Sequence, residues 1–255
     1  MSRTTRRSLI GAAAATSAFA VLPPMTVHGQ EATPPAQETI GPAYATARVR
    51  TQPSAALNQA IYPDVMATFL PPTMAIPGFL GYTFVFDDAD PATAFTFSTL
   101  TSEEAALASE DVARAYVDQL DPRFVTETPL SASGPVRMYA TSAKPATELP
   151  PFLHGAAFTM RDQTNAPGLD LEDAIRIATE TLIPLFRSLP GFVLYCWFER
   201  PGGRIAINIW ETAADLAAAS DALVAWREEY FATPTASEQL NYDGTVGYAT
   251  IAGLT

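Results

Sequence analysis

The chain has one cysteine, one lysine and two histidines among 255 residues, and each scarcity closes off a class of chemistry. A lone Cys196 cannot form an intramolecular disulfide in any compartment. It lies inside FVLYCWF, a strand-like hydrophobic run, where a thiol is buried and inert. With so few imidazoles and thiols, a zinc ligand set cannot be assembled. The sequence carries no phosphate-binding P-loop, dinucleotide glycine fingerprint, nucleophile elbow or kinase signature, which disfavours nucleotide-dependent chemistry. Basic residues number 15 against 27 acidic ones, a net charge of −12. Such a surface repels nucleic-acid backbones and anionic headgroups, so no nucleic-acid or membrane partner is expected; the charge serves solubility.

The long apolar runs are also few. Leu9 to Leu22 is too short to span a bilayer as a helix, and it follows Arg6-Arg7. That pattern reads as a twin-arginine export signal over residues 1–29, with Val27 and Gly29 small enough for the −3 and −1 positions of a cleavage site after Gly29. Its removal takes away Arg3, Arg6 and Arg7 and leaves 12 basic against 27 acidic residues, a net charge of −15. The remaining protein is expected to be exported to the periplasm or the extracellular space. Residues 30–40, QEATPPAQETI, read as a flexible leader.

What is abundant is internal similarity. AIPGFLGYTFVFDD at Ala75 to Asp88 returns as SLPGFVLYCWFE at Ser188 to Glu199, with Pro77, Gly78, Phe79 and Tyr82 matching Pro190, Gly191, Phe192 and Tyr195 at a constant offset of 113. Arg48 with Arg161 and Pro71 with Pro184 keep that offset. A proline-rich break at 142–152 separates a first unit, 41–141, from a second, 153–255. Each unit reads as strand (Ala43 to Val49; Ala156 to Asp162), helix (Ser54 to Leu70; Leu171 to Phe186, with Asp170 as N-cap), strand (Phe79 to Phe86; Phe192 to Phe198), strand (Ala94 to Leu100; Ile205 to Trp210), helix (Ser102 to Gln119; Ala213 to Phe231) and strand (Val136 to Thr141; Val246 to Ile251). Pro71 and Pro184 are expected to kink or end their helices. Between the second and third strands the matches fall to an offset of 111, which pairs Phe97 with Asn208 and Ala108-Ser109 with Ala219-Ser220. The closing strands share Tyr139-Ala140-Thr141 and Tyr248-Ala249-Thr250.

This order, the Pro-Gly-Phe turns, and the helix starts at Thr101 to Ala105 and Thr212 to Leu216 resemble the antibiotic biosynthesis monooxygenase-like domains of the dimeric α+β barrel superfamily. The resemblance covers both units. It implies an α+β fold in which two ferredoxin-like βαββαβ repeats form an intramolecular pseudo-dimeric barrel, with helices outside. The doubly apolar FVLYCWF suits a sheet covered on both faces. Two independent ferredoxin-like domains are the competing arrangement. A monomer is the expected assembly.

The candidate ligand-lining residues are Tyr195, Trp197, Asn208, Trp210 and His154. In Ile205 to Trp210 the isoleucines share one face and Asn208 and Trp210 the other; the continuous isoleucine face is expected to meet the helices, pointing Asn208 and Trp210 into the barrel. A mid-strand asparagine needs partners, from the protein or from a ligand. Tyr195 and Trp197 share a face, with Tyr82 and Phe84 as counterparts, and read as core or as an aromatic wall. The resemblance implies cofactor-independent oxidation of a phenolic or quinone-like compound, or ligand binding without catalysis, but fixes no catalytic residue. Some relatives of the superfold bind heme through a histidine; His154, the one histidine after the signal, reads foremost as an ordinary strand-end residue. No cofactor is assigned. Arg48 and Arg161 could orient an anion, or form rim ion pairs with neighbours such as Asp162. The expected partner is a small apolar or aromatic ligand in a cavity enclosed by the barrel.

Overall fold

The computed structural model describes residues 41–124, 127–231, 233–251 and 254. The export signal and leader therefore lie outside the described residues. The described residues all fall in one compact unit.

Eight strands close into an antiparallel barrel: β1 (Tyr44–Thr51), β2 (Phe79–Asp87), β3 (Thr93–Leu100), β4 (Glu127–Thr141), β5 (Ala157–Asn165), β6 (Phe192–Arg200), β7 (Gly203–Trp210) and β8 (Ala236–Thr250). Their order around the barrel is β1-β3-β2-β8-β5-β7-β6-β4. Each half of the chain contributes four strands, and the β2–β8 and β4–β6 pairings close the cylinder. No sheet edge is left open, which removes the template for intermolecular strand pairing.

Helices cover the outer face. In the first half these are α1 (Ala55–Asp64), α2 (Leu70–Met74) and α3 (Glu103–Asp118); in the second, α4 (Leu171–Ile177), α5 (Ile183–Ser188) and α6 (Ala213–Tyr230). Side chains at Ser54, Ser102, Asp170 and Thr212 accept backbone N–H bonds at the N-termini, each satisfying a donor the helix itself cannot. The prolines do not end the helices. A π-helical turn, Val65–Phe69 or Ala178–Leu182, stands just ahead of Pro71 and Pro184, and the chain continues helical to Met74 and Ser188. The wider turn accommodates the missing N–H and the ring.

The barrel interior is filled. Ala45, Ala47 and Val49 of β1, Phe95 and Phe97 of β3, Phe158 and Met160 of β5, Leu194, Cys196 and Phe198 of β6, and Ile205, Ile207 and Ile209 of β7 form its core. Phe95 and Phe158, from opposite halves, stack with centroids 6.1 Å apart. Cys196 is fully buried there, and burial raises its thiol above the ordinary 9.0. The isoleucine face of β7 therefore points inward, and Asn208 and Trp210 face the helices, the reverse of the sequence-based expectation. The reason is parity: the dry inner layer takes the wholly apolar row, and the mixed row goes to the helical side, where polar atoms can meet a cavity.

A second correction concerns register. The β2–β3 connection runs over residues 88–92 and the β6–β7 connection over 201–202, three fewer, so the offset falls from 113 to 110. Arg48 pairs with Thr96, Arg161 with Ala206; Tyr82 pairs with Ser98, Tyr195 with Asn208. The counterpart of Asn208 is thus Ser98, and Phe97 is inward. The same shift matches Ser109 to Ala219, both buried. It also dissolves the Tyr-Ala-Thr echo: Tyr139 packs on the barrel core, whereas Tyr248 packs on the helical side.

The closing strands β4 and β8 are far longer than their apolar ends suggested. Their polar first halves, including TPLSASGP in β4, escaped notice because glycine and proline read as breaks. Gly134 and Gly244 occupy equivalent crossings. A Cβ at Gly134 would lie 1.8 Å from the Glu199 carbonyl oxygen, and one at Gly244 2.4 Å from that of Phe86. The 142–152 break is not a loose tether, for Leu149 packs on the barrel core and Leu153, just beyond the break, is buried in it.

Candidate ligand site

Two cavities lie between the outer face of the barrel and its helices, one in each half. Neither is inside the barrel. The larger, about 300 Å³, is bounded by β5, β6 and β7 on one side and by α4, the π turn, α5 and α6 on the other. Tyr195, Trp197 and Asn208 line it, as the sequence suggested; Trp210 and His154 do not. Trp210 is fully buried one pair further along, packed against Phe186 and Phe192. His154 is exposed in the turn before β5.

The walls follow from strand alternation. Tyr195 and Trp197 point outward from β6, and Ala206 and Asn208 from β7 beside them. Phe186 stacks on Tyr195 with centroids 4.7 Å apart. The helical side is lined in part by Ala174, Ala178 and Leu182, and the two alanines leave the space beside them open. Trp226 of α6 closes one end and is held by donating its indole N–H to the Thr181 hydroxyl at 2.8 Å.

Arginines supply the charge. Among the described residues Arg161, Arg204 and Arg227 line the cavity, and no carboxylate does. Arg204 is 5% exposed, with its guanidinium over the Trp197 ring, 5.3 Å from the centroid. Its other partners are neutral: Gln163, Asn165 and Thr235. Burial lowers its affinity for the proton. The expected rim pairing of Arg161 with Asp162 does not form. Asp162 points to the opposite face of β5 and pairs with Arg200. Sequence reasoning missed Arg204; its signal was a basic residue at the start of an otherwise apolar strand.

Polar atoms are left over in this wall. Asn208 donates from Nδ2 to the Thr159 hydroxyl at 3.3 Å, while its Oδ1 is buried without a protein partner. Trp197 Nε1 is also buried and unpartnered. A buried polar atom without a partner costs about 1–3 kcal/mol, so such atoms are ready for a ligand's complementary groups. Burial, opposed by Arg204 and Arg161, raises the Tyr195 phenol well above its ordinary 10.0, so it stays protonated and acts as a donor. No histidine lines either cavity, so neither fits a heme held by His154. Among the described residues, no cluster of three potential metal ligands exists.

The smaller cavity, about 50 Å³, occupies the equivalent place in the first half. Arg48 and Arg50 of β1, Gln52, Tyr82 and Phe84 of β2, and Ile61, Val65 and Phe69 of the helical side line it. Asn58 anchors its edge, donating to the carbonyls of Pro91 and Thr93 at 3.0 Å each.

No known family profile matches this sequence, and no curated protein does. Solved structures do match in shape. A candidate monooxygenase from Lactobacillus acidophilus NCFM superposes with a TM-score of 0.61 at 11% identity, covering 82% of this chain and 97% of its own. An anthrone oxidase-like protein gives 0.51 at 14% identity, with 84% and 96% covered. A candidate chlorite dismutase gives 0.54 at 11% identity, with 81% and 95% covered. At such identities the likeness establishes a shared fold, here the closed eight-stranded barrel with helices outside, and nothing more.

Proposed function

We propose that this chain is an exported, tandem antibiotic biosynthesis monooxygenase-like protein that takes a small aromatic or quinone-like compound, as its anion, into the second-half cavity. The observation that carries this reading is a cavity of about 300 Å³ with an aromatic wall, three arginines and no carboxylate, in a protein whose overall charge is strongly negative. Trp197 and Tyr195 suit a planar ring. Arg204 and Arg161 favour the ionised form of a phenol or enol, lowering its pKa without any protein base. Asn208 Oδ1 would accept from a second hydroxyl.

The chemistry this supports is cofactor-independent oxidation. An ionised aromatic substrate with an activated methylene donates electrons to dioxygen. Both methylene C–H bonds break, one oxygen atom becomes the new carbonyl, and the other leaves as water with the two hydrogens, so one dioxygen is consumed per substrate. The protein binds the anion, holds it against the aromatic wall and keeps bulk water away. We read the two halves as taking the places of the two subunits of a dimeric barrel, supported by the matching pairings at offsets 113 and 110, so the chain is expected to be a monomer. Export and the twin-arginine route rest on the sequence pattern alone.

The test is ligand-detected NMR with anthrone and small hydroxyquinones, followed by oxygen-uptake measurements, on the chain lacking residues 1–29. Binding by the wild type, weakened about ten-fold or more in Asn208→Leu, with one dioxygen consumed per anthrone, is expected. No binding would overturn the reading. Binding without oxygen uptake would favour the second reading, a non-catalytic binder on this fold, to which the absence of any carboxylate or histidine base around the cavity also points.

A further inference from the structure

We infer that the first-half cavity is a second, chemically distinct site, one for a small hydroxyl-bearing oxyanion of the size of bicarbonate. Its case is independent of any ligand in the larger cavity. Arg48 is 5% exposed, yet among the described residues it forms no ion pair; its one hydrogen bond runs from Nη1 to the Thr46 hydroxyl at 3.4 Å. Arg50, two residues along the same face of β1, likewise has a hydroxyl as its hydrogen-bond partner, that of Thr128 at 3.2 Å. The acid whose charge acts on Arg48 is Glu110 of α3, and among the described residues the two form no ion pair.

Burial makes the Arg48 charge costly, and the repulsion of Arg50 on the same side of the small cavity adds to it; together these loosen the proton on Arg48. Uncompensated buried charge is costly enough that proteins pair or neutralise it. Here an external anion would do so. Three further details narrow its identity. Among the described residues Arg48 Nη2, Tyr82 Oη and Gln52 Oε1 are all buried without a partner, and all three side chains line this one cavity. Arg48 and Tyr82 offer donors, since burial holds the Tyr82 phenol protonated. Gln52 Oε1 offers an acceptor. The complement is an oxyanion with at least two acceptor oxygens and one O–H. A cavity of 50 Å³, at roughly 10–15 Å³ per water-sized atom, holds about four heavy atoms. Bicarbonate has that size and that pattern; an aromatic ring does not fit. Half-buried Arg50, Tyr116, Val117 and Leu120 form the mouth, giving access from solvent.

The test is thermal unfolding of the full chain lacking its first 29 residues in sodium bicarbonate, against sodium chloride and sodium nitrate at equal ionic strength and pH. The wild type should gain Tm saturably with bicarbonate. Arg48→Met, which fills similar space without the charge, should fold with an unchanged or higher Tm and need at least about ten-fold more bicarbonate for the same gain. Arg204→Met, in the other cavity, should respond as the wild type does. A wild type that shows no saturable gain, or an Arg48→Met variant that responds equally, would overturn the site. Nitrate stabilising as strongly as bicarbonate would overturn the hydroxyl-bearing class.

Discussion

The two cavities stand at equivalent positions over one barrel, and they differ six-fold in volume, about 50 against 300 Å³. The pairings that match Arg48 to Arg161 and Thr96 to Ala206 also match the residues responsible. Ile61, Val65 and Phe69 in the first half become Ala174, Ala178 and Leu182 in the second, and Thr96 becomes Ala206. Each exchange removes side-chain volume from the space between helix and sheet. Close-packed interiors do not relax to fill such losses, so the difference persists as open volume. Polarity divides along with size. The first half puts two arginines into the small space; the second spreads Arg161, Arg204 and Arg227 around a larger one with an aromatic wall. One scaffold thus offers a pocket for a few polar atoms and a pocket for a ring.

The largest expected effect comes from carving the first cavity into the second's shape. Ile61→Ala, Val65→Ala and Phe69→Leu together should cost on the order of 5 kcal/mol, read by urea denaturation. A loss under about 1 kcal/mol would show that the first half is not the better-packed one. The reverse change sharpens the contrast more gently. Ala174→Ile with Ala178→Val should fill the second cavity, shift stability by no more than about 1.5 kcal/mol, and weaken any aromatic ligand by roughly 100-fold in calorimetric titration. Unaltered binding would place the ligand elsewhere.

The smallest effect is one the two halves share. Tyr82 and Tyr195 hold equivalent places, and burial raises both phenols, as it raises the Cys196 thiol in the barrel. The folded state holds these protons more tightly than the unfolded chain. Above the ordinary values of 9.0 for the thiol and 10.0 for the phenols, the unfolded state therefore carries fewer protons, and stability falls as pH rises. Thermal unfolding from pH 7 to 10 should show a flat stretch and then a loss of about 2 kcal/mol by pH 10. Tyr82→Phe should leave the onset, set by Cys196, in place and reduce the fall at higher pH. A stability that climbs from pH 9 to 10 would contradict the burial of these groups.

Much of this architecture could be read before any coordinates. The repeated Pro-Gly-Phe turns, the N-cap at Asp170, and the apolar run around Cys196 pointed to the element order and to strands covered on both faces. Tyr195, Trp197 and Asn208 could be singled out because polar and aromatic side chains inside an apolar strand need a reason. The errors came from parity and register. A loop difference of three residues, taken as two, paired Asn208 with an inward phenylalanine when its counterpart is Ser98. The same kind of slip made Tyr139 and Tyr248 look alike.

The sequence by itself determined the periodicities: which residues alternate, where helices start, and that one pattern occurs twice. Only the tertiary structure decided which face of each strand is inside. Alternation defines two faces without naming them, and the choice falls to the closed barrel, whose filled apolar interior admits the isoleucine row and sends Asn208 outward. Cavity volume was likewise beyond the sequence, because it is the difference between a helix-to-sheet spacing set by the whole fold and the few side chains, Ala174, Ala178 and Leu182, that fail to fill it.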